Sequence, residues 1–215
     1  MRSEIYEVYR EREIPYLLHF TRPENLESIL AIGLHPRQNI DLGVVPNASV
    51  NDTCRNDGRR DRNCLSISFP NYKMFYPLRS ANPGIEWPVL VMKPSILWTM
   101  DCLFCENNAA STAISSKQDH ELSSADAFRS IFDEPEGSSL RASEGLKPCD
   151  PTDVQSEVLV KGVIPPEIIY AVVFQSEVER RKYLPYCGAR STHVQNARGF
   201  YGKREYYRKW GLGKD

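Results

Sequence analysis

The order of short apolar segments along the chain constrains its fold more than any other feature of the sequence. Residues 64–69 (CLSISF) alternate apolar and polar side chains, which is typical of a β-strand with one buried face. Further strands are predicted at residues 87–92, 154–160 and 168–174, with a strand or a strand and turn at 95–104. Few helices lie between these segments, so the strand–helix alternation of a doubly wound parallel sheet is absent. The sequence therefore predicts an α+β fold with a central mixed or antiparallel sheet.

Length and composition predict a single domain over residues 1–215, with a basic, aromatic tail at 184–215. The 215 residues suffice for a sizeable core, and 41% hydrophobic residues with a net charge of −1 are ordinary for a globular protein. No apolar run approaches the roughly 20 residues that span a bilayer. The N-terminal residues 1–18 are too charged for a secretory signal and predict an amphipathic helix or arm that enters the fold at Ile14. We therefore expect no membrane association.

Six cysteines occur in a chain with no predicted secretory signal. Reduced thiols in a cytoplasm are the expected state of such residues. Cys102 and Cys105 form one C-x-x-C pair, but neither a second pair nor histidines at matching spacing follow it. A zinc site normally needs four ligands, so no metal site is predicted.

The C-terminal residues 190–215 are strongly basic. They contain seven Lys or Arg and two acids, hence a charge of +5, and five aromatic side chains. Basic groups interleaved with aromatic rings suit single-stranded nucleic acid. The same pattern also suits a helix that packs its aromatic residues inward, and the sequence alone somewhat favours this second interpretation.

Residues 17–34 predict a short strand that turns directly into a helix. Apolar residues in 26–30 recur at helical spacing, Thr21 and Glu24 have capping-box spacing, and Gly33 suits the end of the helix. Such a junction offers backbone N–H groups and the positive end of a helix dipole to a diphosphate.

Two glutamates lie in identical Gln-Ser-Glu-Val sequences but in different settings. Glu157 lies inside the predicted strand 154–160, on the same face as Gln155, where an ionisable group needs partners or a cleft. Glu177 begins a charged helical segment, and a carboxylate suits the first turn of a helix. Glu157 is therefore the candidate functional acid, although an acid on an exposed sheet face remains an alternative.

Three segments, in this order, resemble the DarT family of bacterial toxins. These are "HFT" before the "PENLESILAIGL" helix, "RNDG" followed by "CLSISFPNYKMFY", and "VQSEVLVKGVIPPEII". The resemblance covers most of residues 15–175, and "SISFPNYKMFY" is most similar to the branch that modifies guanine rather than thymine. It implies an ADP-ribosyltransferase fold whose central sheet is split by a cleft for NAD⁺.

The resemblance implies a bacterial, cytoplasmic toxin that transfers ADP-ribose from NAD⁺, its co-substrate, to a base of single-stranded DNA without a metal. It further implies a macrodomain antitoxin as partner. Two alternatives remain open at this stage. One is an ADP-ribosyltransferase of the same fold that acts on protein or RNA, and the other is an inactive nucleic-acid-binding module.

The resemblance also implies roles for individual residues. Glu157 would stabilise the positive charge that develops on the ribose as nicotinamide leaves. Arg55 matches an essential family arginine best, although Arg59, Arg60 and Arg62 lie nearby. Because arginine stays protonated at neutral pH, we expect it to pair with phosphates or orient the base.

The remaining candidates contact NAD⁺ or DNA. His19 would bind the adenosine ribose, and Thr21 and the Phe20 backbone would line the nicotinamide end. The other NAD⁺ candidates are Ser28, Tyr72 and Phe75. Candidate DNA contacts are Gln155, Lys73 and Arg79, with the long polar segments 38–63 and 106–125 as places where a strand is held. Each has a structural alternative, such as a helix cap for Thr21 and core packing for Phe75.

Overall fold

The computed structural model describes residues 2–50 and 57–209, and within these ranges one mixed sheet forms the centre of the molecule. Its strands are β1 (Leu17–Phe20), β2 (Arg62–Ile67), β3 (Val89–Met92), β4 (Cys102–Cys105), β5 (Glu157–Lys161), β6 (Ile169–Phe174) and β7 (Ser191–Val194). Their order is β4-β5-β2-β1-β3-β6-β7, with all neighbours antiparallel except β6 and β7. The expected α+β fold with a central mixed sheet is confirmed.

Helices cover both faces of this sheet. They are α1 (Arg2–Glu11), α2 (Leu26–Ile32), α3 (Arg37–Asp41), α4 (Tyr72–Ala81), α5 (Ile96–Thr99), α6 (Thr112–Ser115), α7 (Asp119–Leu122), α8 (Ala125–Ser130), α9 (Leu140–Glu144), α10 (Glu177–Cys187) and α11 (Arg204–Lys209). Short 3₁₀ turns occupy Pro23–Asn25 and Pro166–Ile168. None of the described helices has the length and apolar character needed to cross a bilayer.

Alternation along the strands divides the core into two layers. In β1, Leu17 faces a cluster with the buried residues of α1, α2, α5 and α8, whereas Leu18 faces a cluster with Phe75 of α4. Phe200 and Tyr201 belong to the second cluster and are 3% and 2% exposed. These two rings pack inward as the second interpretation expects, but they precede α11, and within that helix Tyr206 is 56% exposed.

The sheet divides between its two central strands. β1 pairs with β2 only at Leu17–Ile67 and Leu18–Ser66. Beyond these positions β1 continues beside β3, and β2 continues beside β5. A gap between the two half-sheets results, and it lies at the end of β1 where His19 and Phe20 stand.

The structure differs from the sequence expectations at three segments. Residues 95–104 contain helix α5 before β4, because Trp98 packs against the α1 rings of Tyr6 and Tyr9. The expected helix after residue 21 begins as a 3₁₀ turn. The segment 106–125, whose polar, serine-rich composition predicts a loop, contains α6 and α7, anchored by buried Ile114 and Leu122.

Strand β5 is shorter than predicted, because it starts at Glu157 rather than at residue 154. The Gln155 N–H donates to Asp153 Oδ1 at 3.0 Å, and the Ser156 N–H donates to the carbonyl of Asp153. These local bonds hold residues 153–156 in a turn instead of the ladder. The prediction that Gln155 and Glu157 share a strand face is therefore wrong.

Candidate active site

A cavity of about 250 Å³ opens at the gap between the two half-sheets. Its wall comes from β1, α2, the segment after α3, β2, the start of α4 and the start of β5. Five residues predicted from the sequence lie in this wall: His19, Phe20, Thr21, Ser28 and Glu157. The fold thus brings the first and last segments of the resemblance to one place.

His19 connects the two half-sheets where their backbones separate. Its Nδ1 lies 2.9 Å from the carbonyl oxygen of Cys64 in β2. Because a carbonyl can only accept, Nδ1 carries the proton and donates to it. This bond fixes the ring orientation in the cavity wall, which a residue that contacts a ribose requires.

Thr21 is 2% exposed and does not cap the following turn. Its backbone N–H donates to the carbonyl of Pro88 at 3.1 Å, and its hydroxyl accepts from Asn25 Nδ2 at 3.2 Å. The Ser28 hydroxyl donates to the Asn25 carbonyl at 2.9 Å. The helix-cap alternative for Thr21 is therefore wrong. The first turn starts after Arg22 without a side-chain cap, and the Thr21 hydroxyl is instead bound to Asn25.

Asn25 is a cavity residue that the sequence analysis did not single out. Its Nδ2 donates to the Ser49 carbonyl at 2.7 Å, and its Oδ1 accepts from the Ser49 N–H at 2.7 Å. One side-chain amide thereby holds both backbone groups of a residue 24 positions away. Ala48, Ser49 and Val50 also line the cavity, so this amide holds one of its walls in place.

Glu157 is the first residue of β5, and the segment that follows β4 holds its side chain in place. Its Oε2 accepts the Ala109 N–H at 3.1 Å, and its backbone pairs with Cys105. The hydroxyl of the neighbouring Ser156, 1% exposed, lies 2.7 Å from the carbonyl oxygens of both Glu106 and Asp153 and shares its single proton between them. The carboxylate thus has a fixed backbone and a fixed donor before any substrate binds.

Arg55 lies outside the described residues, so its role stays a prediction. The alternative arginines have ion pairs elsewhere. Arg59 Nε lies 2.9 Å from Asp119, and Arg60 pairs with Asp41. Arg62, 3% exposed, pairs with both Asp101 and Asp119. Which of these arginines matches the family residue stays a prediction.

The two aromatic candidates on α4 do not line the cavity. Phe75 is 1% exposed and stacks on Phe20 with ring centroids 4.4 Å apart, so it supports a cavity residue from behind. The Tyr72 hydroxyl donates to Glu205 Oε1 at 2.5 Å. Burial, followed by this bond to a carboxylate, raises the pKa of Tyr72.

The three candidate DNA contacts also lie outside the cavity wall. Lys73 is half exposed and its Nζ lies 3.6 Å from Asp153. Arg79 packs its guanidinium over the rings of Phe75 and Tyr201 and donates to the Tyr201 carbonyl at 2.6 Å. Burial lowers the pKa of Arg79. Gln155 lies in the turn before β5. Lys73 is exposed, whereas Arg79 and Gln155 are only partly exposed, so Lys73 is the most accessible of the three.

Cysteines and acids elsewhere in the described chain give no second centre. Burial, with a smaller contribution from neighbouring carboxylates, raises the pKa of Cys102 and Cys105 to about 12. Among the described residues, no group of three or more His, Cys, Asp or Glu could hold a metal ion. Glu177 lies on the surface, where a hydrogen bond from Arg180 and then one from Arg181 lower its pKa to about 2.

Known structures share this fold at low sequence identity. DarTG of Thermosipho africanus in complex with ADP-ribose has a TM-score of 0.60 and 16% identity over 88% of this chain and 52% of that chain. This chain therefore spans about half the length of that protein. DarT of Thermus sp. 2.9 in complex with carba-NAD⁺ has a TM-score of 0.55 and 15% identity over 85% and 96% of the two chains. Its complex with ADP-ribosylated ssDNA gives a TM-score of 0.56, 13% identity and coverages of 85% and 95%.

At these identities the structures show the fold alone, and a search of curated proteins gave no match. The family model described as "ssDNA thymidine ADP-ribosyltransferase, DarT" matches residues 18–198, which is most of the chain. The predicted class, an NAD⁺-dependent ADP-ribosyltransferase, is confirmed at the level of the family. The chain belongs to the DarT family of single-stranded DNA ADP-ribosyltransferases.

Proposed function

We propose that this protein transfers ADP-ribose from NAD⁺ to a base of single-stranded DNA through the cavity at the split of its sheet. One observation carries the proposal: Glu157, at the start of β5, and the β1-end residues His19 and Thr21 line the same cavity. The Ala109 N–H orients the carboxylate, and the Cys64 carbonyl orients the imidazole. An acid and several groups able to bind ribose hydroxyls therefore line one cavity.

The chemistry needs a carboxylate where positive charge develops. The bond between ribose C1′ and the nicotinamide nitrogen breaks, nicotinamide leaves as a neutral molecule, and C1′ gains oxocarbenium character. The carboxylate of Glu157 stabilises this charge more in the transition state than in the ground state. A base nitrogen then bonds to C1′ and loses its proton, for which Glu157 is the proposed acceptor.

The cavity wall suits the polar parts of NAD⁺. His19, Thr21 and Ser28 offer ring-nitrogen and hydroxyl groups of the kind that bind ribose hydroxyls, and Phe20 offers an aromatic surface for nicotinamide. Arg55 is proposed to pair with the phosphates or orient the base. No metal is needed, because the leaving group is already cationic in NAD⁺.

Guanine is the proposed target base, supported by the resemblance of residues 66–76 to the guanine-modifying branch. The family model is described by thymidine, so thymine is the competing target. A single strand presents either base unpaired, which avoids the cost of extracting it from a duplex. The half-exposed Lys73 is the proposed phosphate contact on the open side of α4.

We propose that the protein acts in the bacterial cytoplasm. Modification of DNA bases there would make it toxic to the cell. We therefore propose a toxin whose partner is a macrodomain antitoxin that removes the modification. The relative from T. africanus is named DarTG, and its chain is about twice as long as the matched region. This comparison supports looking for the partner but does not identify it.

The test measures a mass gain of one ADP-ribose on single-stranded oligonucleotides of each base composition incubated with NAD⁺. Glu157→Gln keeps the size of the side chain and removes its charge, so we expect transfer to fall on the order of 10³-fold. Glu177→Gln, in the same tetrapeptide, is the matched control and should retain wild-type activity. Protein and RNA are incubated in parallel, and a mass gain only on one of these would show that DNA is not the substrate. Binding of the oligonucleotide without any transfer would indicate an inactive module.

A further inference from the structure

Asn71 is a buried side chain with a donor that the fold does not use. It is 2% exposed, lines the cavity and caps the N-terminus of α4, where its Oδ1 accepts the Met74 N–H at 3.2 Å. This bond assigns the oxygen and the nitrogen of the amide. Its Nδ2 has no hydrogen-bond partner within residues 2–50 and 57–209. A buried amide donor without a partner costs free energy, which a bound ligand can recover.

Asn71 belongs to the end of the cavity where Glu157 lies. Its backbone N–H donates to the Ser66 hydroxyl at 3.2 Å. Leu65 pairs with Val158, so Ser66 and Glu157 are the next residues on the neighbouring strands β2 and β5. Ser66 also pairs with Leu18 of β1, so the unused donor lies where β1 and β2 separate, on the strand next to the one that begins with Glu157.

The rest of α4 indicates which substrate reaches this donor. The helix turns Lys73 and Tyr76 to solvent, with side-chain exposure of 50% for Lys73 and residue exposure of 64% for Tyr76. A polymer has to approach from solvent, whereas a small dinucleotide can be enclosed. An amide donor can bind either a base or a phosphate, but the exposed Lys73 on the same helix already offers a cation to the phosphate, which leaves the buried amide for the base.

We propose that Asn71 is a specificity-determining residue that donates a hydrogen bond to a keto oxygen of the DNA base being modified. Because its Oδ1 caps the helix, Asn71 presents a donor only and cannot form the donor–acceptor pair by which asparagine recognises adenine. Guanine and thymine both carry a keto oxygen where adenine and cytosine carry an amino group. The inference rests on the proposed function, but it holds for either target base.

The experiment compares Asn71→Ser with the wild-type protein. Serine is also a good N-cap, so this substitution retains the cap of α4, and its shorter hydroxyl withdraws the donor from the position of the amide nitrogen without adding charge. Each enzyme is given oligonucleotides with the normal base and with an analogue that lacks the keto oxygen at the position where adenine or cytosine carries its amino group. The analogues are 2-aminopurine for guanine and 4-thiothymine for thymine. The control for a weakened helix cap is Ser176→Ala. It removes the hydroxyl that accepts the Glu179 N–H at the start of α10, outside the cavity wall.

We expect wild-type protein and the Ser176 variant to prefer the normal base by about tenfold or more. Asn71→Ser should lower transfer to the normal base by a similar factor and leave the two oligonucleotides within about twofold of each other, since the interaction that distinguishes them is gone. NAD⁺ binding, measured by calorimetry, should be unchanged in all three proteins.

Two results would overturn the inference. One is an Asn71 variant that keeps both its rate and its preference for the normal base. The other is a variant whose loss appears in NAD⁺ affinity while the preference persists, which would place the donor on the dinucleotide. Failure of the wild-type protein to modify any oligonucleotide is a separate outcome, because it contradicts the proposed function before Asn71 is tested.

Discussion

Replacement of Arg208 by leucine should destabilise the protein strongly, because it leaves a buried carboxylate without its cation. Asp150 is fully buried and accepts four hydrogen bonds. Arg208 supplies two of them at 2.7 and 2.6 Å, Ser68 Oγ one at 2.7 Å and the Lys147 N–H one at 2.8 Å. Burial raises the pKa of Asp150, but the hydrogen bonds and charge of Arg208 outweigh it, so the pKa lies below its usual value.

The magnitude follows from the loss of one partner of a buried pair. Such a loss typically costs about 3–5 kcal/mol in the free energy of unfolding. For a chain of this size each kcal/mol lowers the melting temperature by about 2–4 °C, so the expected fall is about 6–20 °C. The double variant Asp150→Asn with Arg208→Leu should lose less than Arg208→Leu alone, because it leaves no unpaired charge.

The ion pair also predicts how stability depends on pH. The pKa of Asp150 in the folded state lies below its value in the unfolded chain, which is about 3.9. Its contribution is therefore fully present above about pH 4 and is lost as the pH falls through the folded-state pKa. This part of the acid sensitivity should be absent from Asp150→Asn.

Urea denaturation and thermal melting at pH 7 and below measure these effects. Arg181→Leu is the control, because that arginine pairs with Glu177 at 3.0 Å on the surface with 76% of its side chain exposed. Its unfolding midpoint should not change measurably. If Arg208→Leu were no less stable than Arg181→Leu, the argument that the C-terminal helix is held by a buried ion pair would be refuted.

Three further substitutions test other contacts. Asn25→Leu removes both hydrogen bonds to Ser49 and should weaken NAD⁺ binding about tenfold in calorimetry, with Glu24→Gln as a control that leaves it unchanged. Lys73→Gln should lower the slope of log affinity for single-stranded DNA against log salt by about 0.7, and an unchanged slope would contradict a phosphate contact. Gly33→Ala should reduce the free energy of unfolding by about 2 kcal/mol or more, because φ is +94° and a Cβ would lie 2.4 Å from the Ile164 carbonyl oxygen. A smaller loss would contradict this reasoning, because it would show that the backbone at Gly33 and Ile164 can move apart at little cost.

Periodicity was sufficient where one local pattern determines an element. The alternation at 64–69 gave β2, and the apolar runs gave β3 and β6 close to their observed bounds. The charged setting of Glu177 also identified a surface helix start, where it pairs with two arginines. These features depend on neighbours within one or two turns, which the sequence displays directly.

Contacts between distant segments were not visible in the same way. The amide of Asn25 binds Ser49, 24 residues away, and nothing in the local sequence distinguishes it from an ordinary helical asparagine. The tail arginines Arg204 and Arg208 count toward a basic surface in the sequence. In the structure they are largely buried and bind the segment around Asp150. Asn71 caps α4, and its unused amide donor is apparent only in the folded protein.

The candidate site lies where the pairing of β1 and β2 stops, and this interruption becomes apparent only in the fold. After two residue pairs, β1 and β2 separate, so backbone groups that would have completed the ladder need other partners. The His19 imidazole supplies one by donating to the Cys64 carbonyl, while on its other edge β1 stays paired with β3, where the Thr21 N–H donates to the Pro88 carbonyl. The side chain that satisfies the broken ladder is thereby fixed in the cavity wall, which also contains a glutamate at the first residue of β5. Rigid polar groups around a gap in a sheet are what a transferase needs to hold a dinucleotide against one carboxylate, so the interruption of the sheet is the feature that makes the site possible.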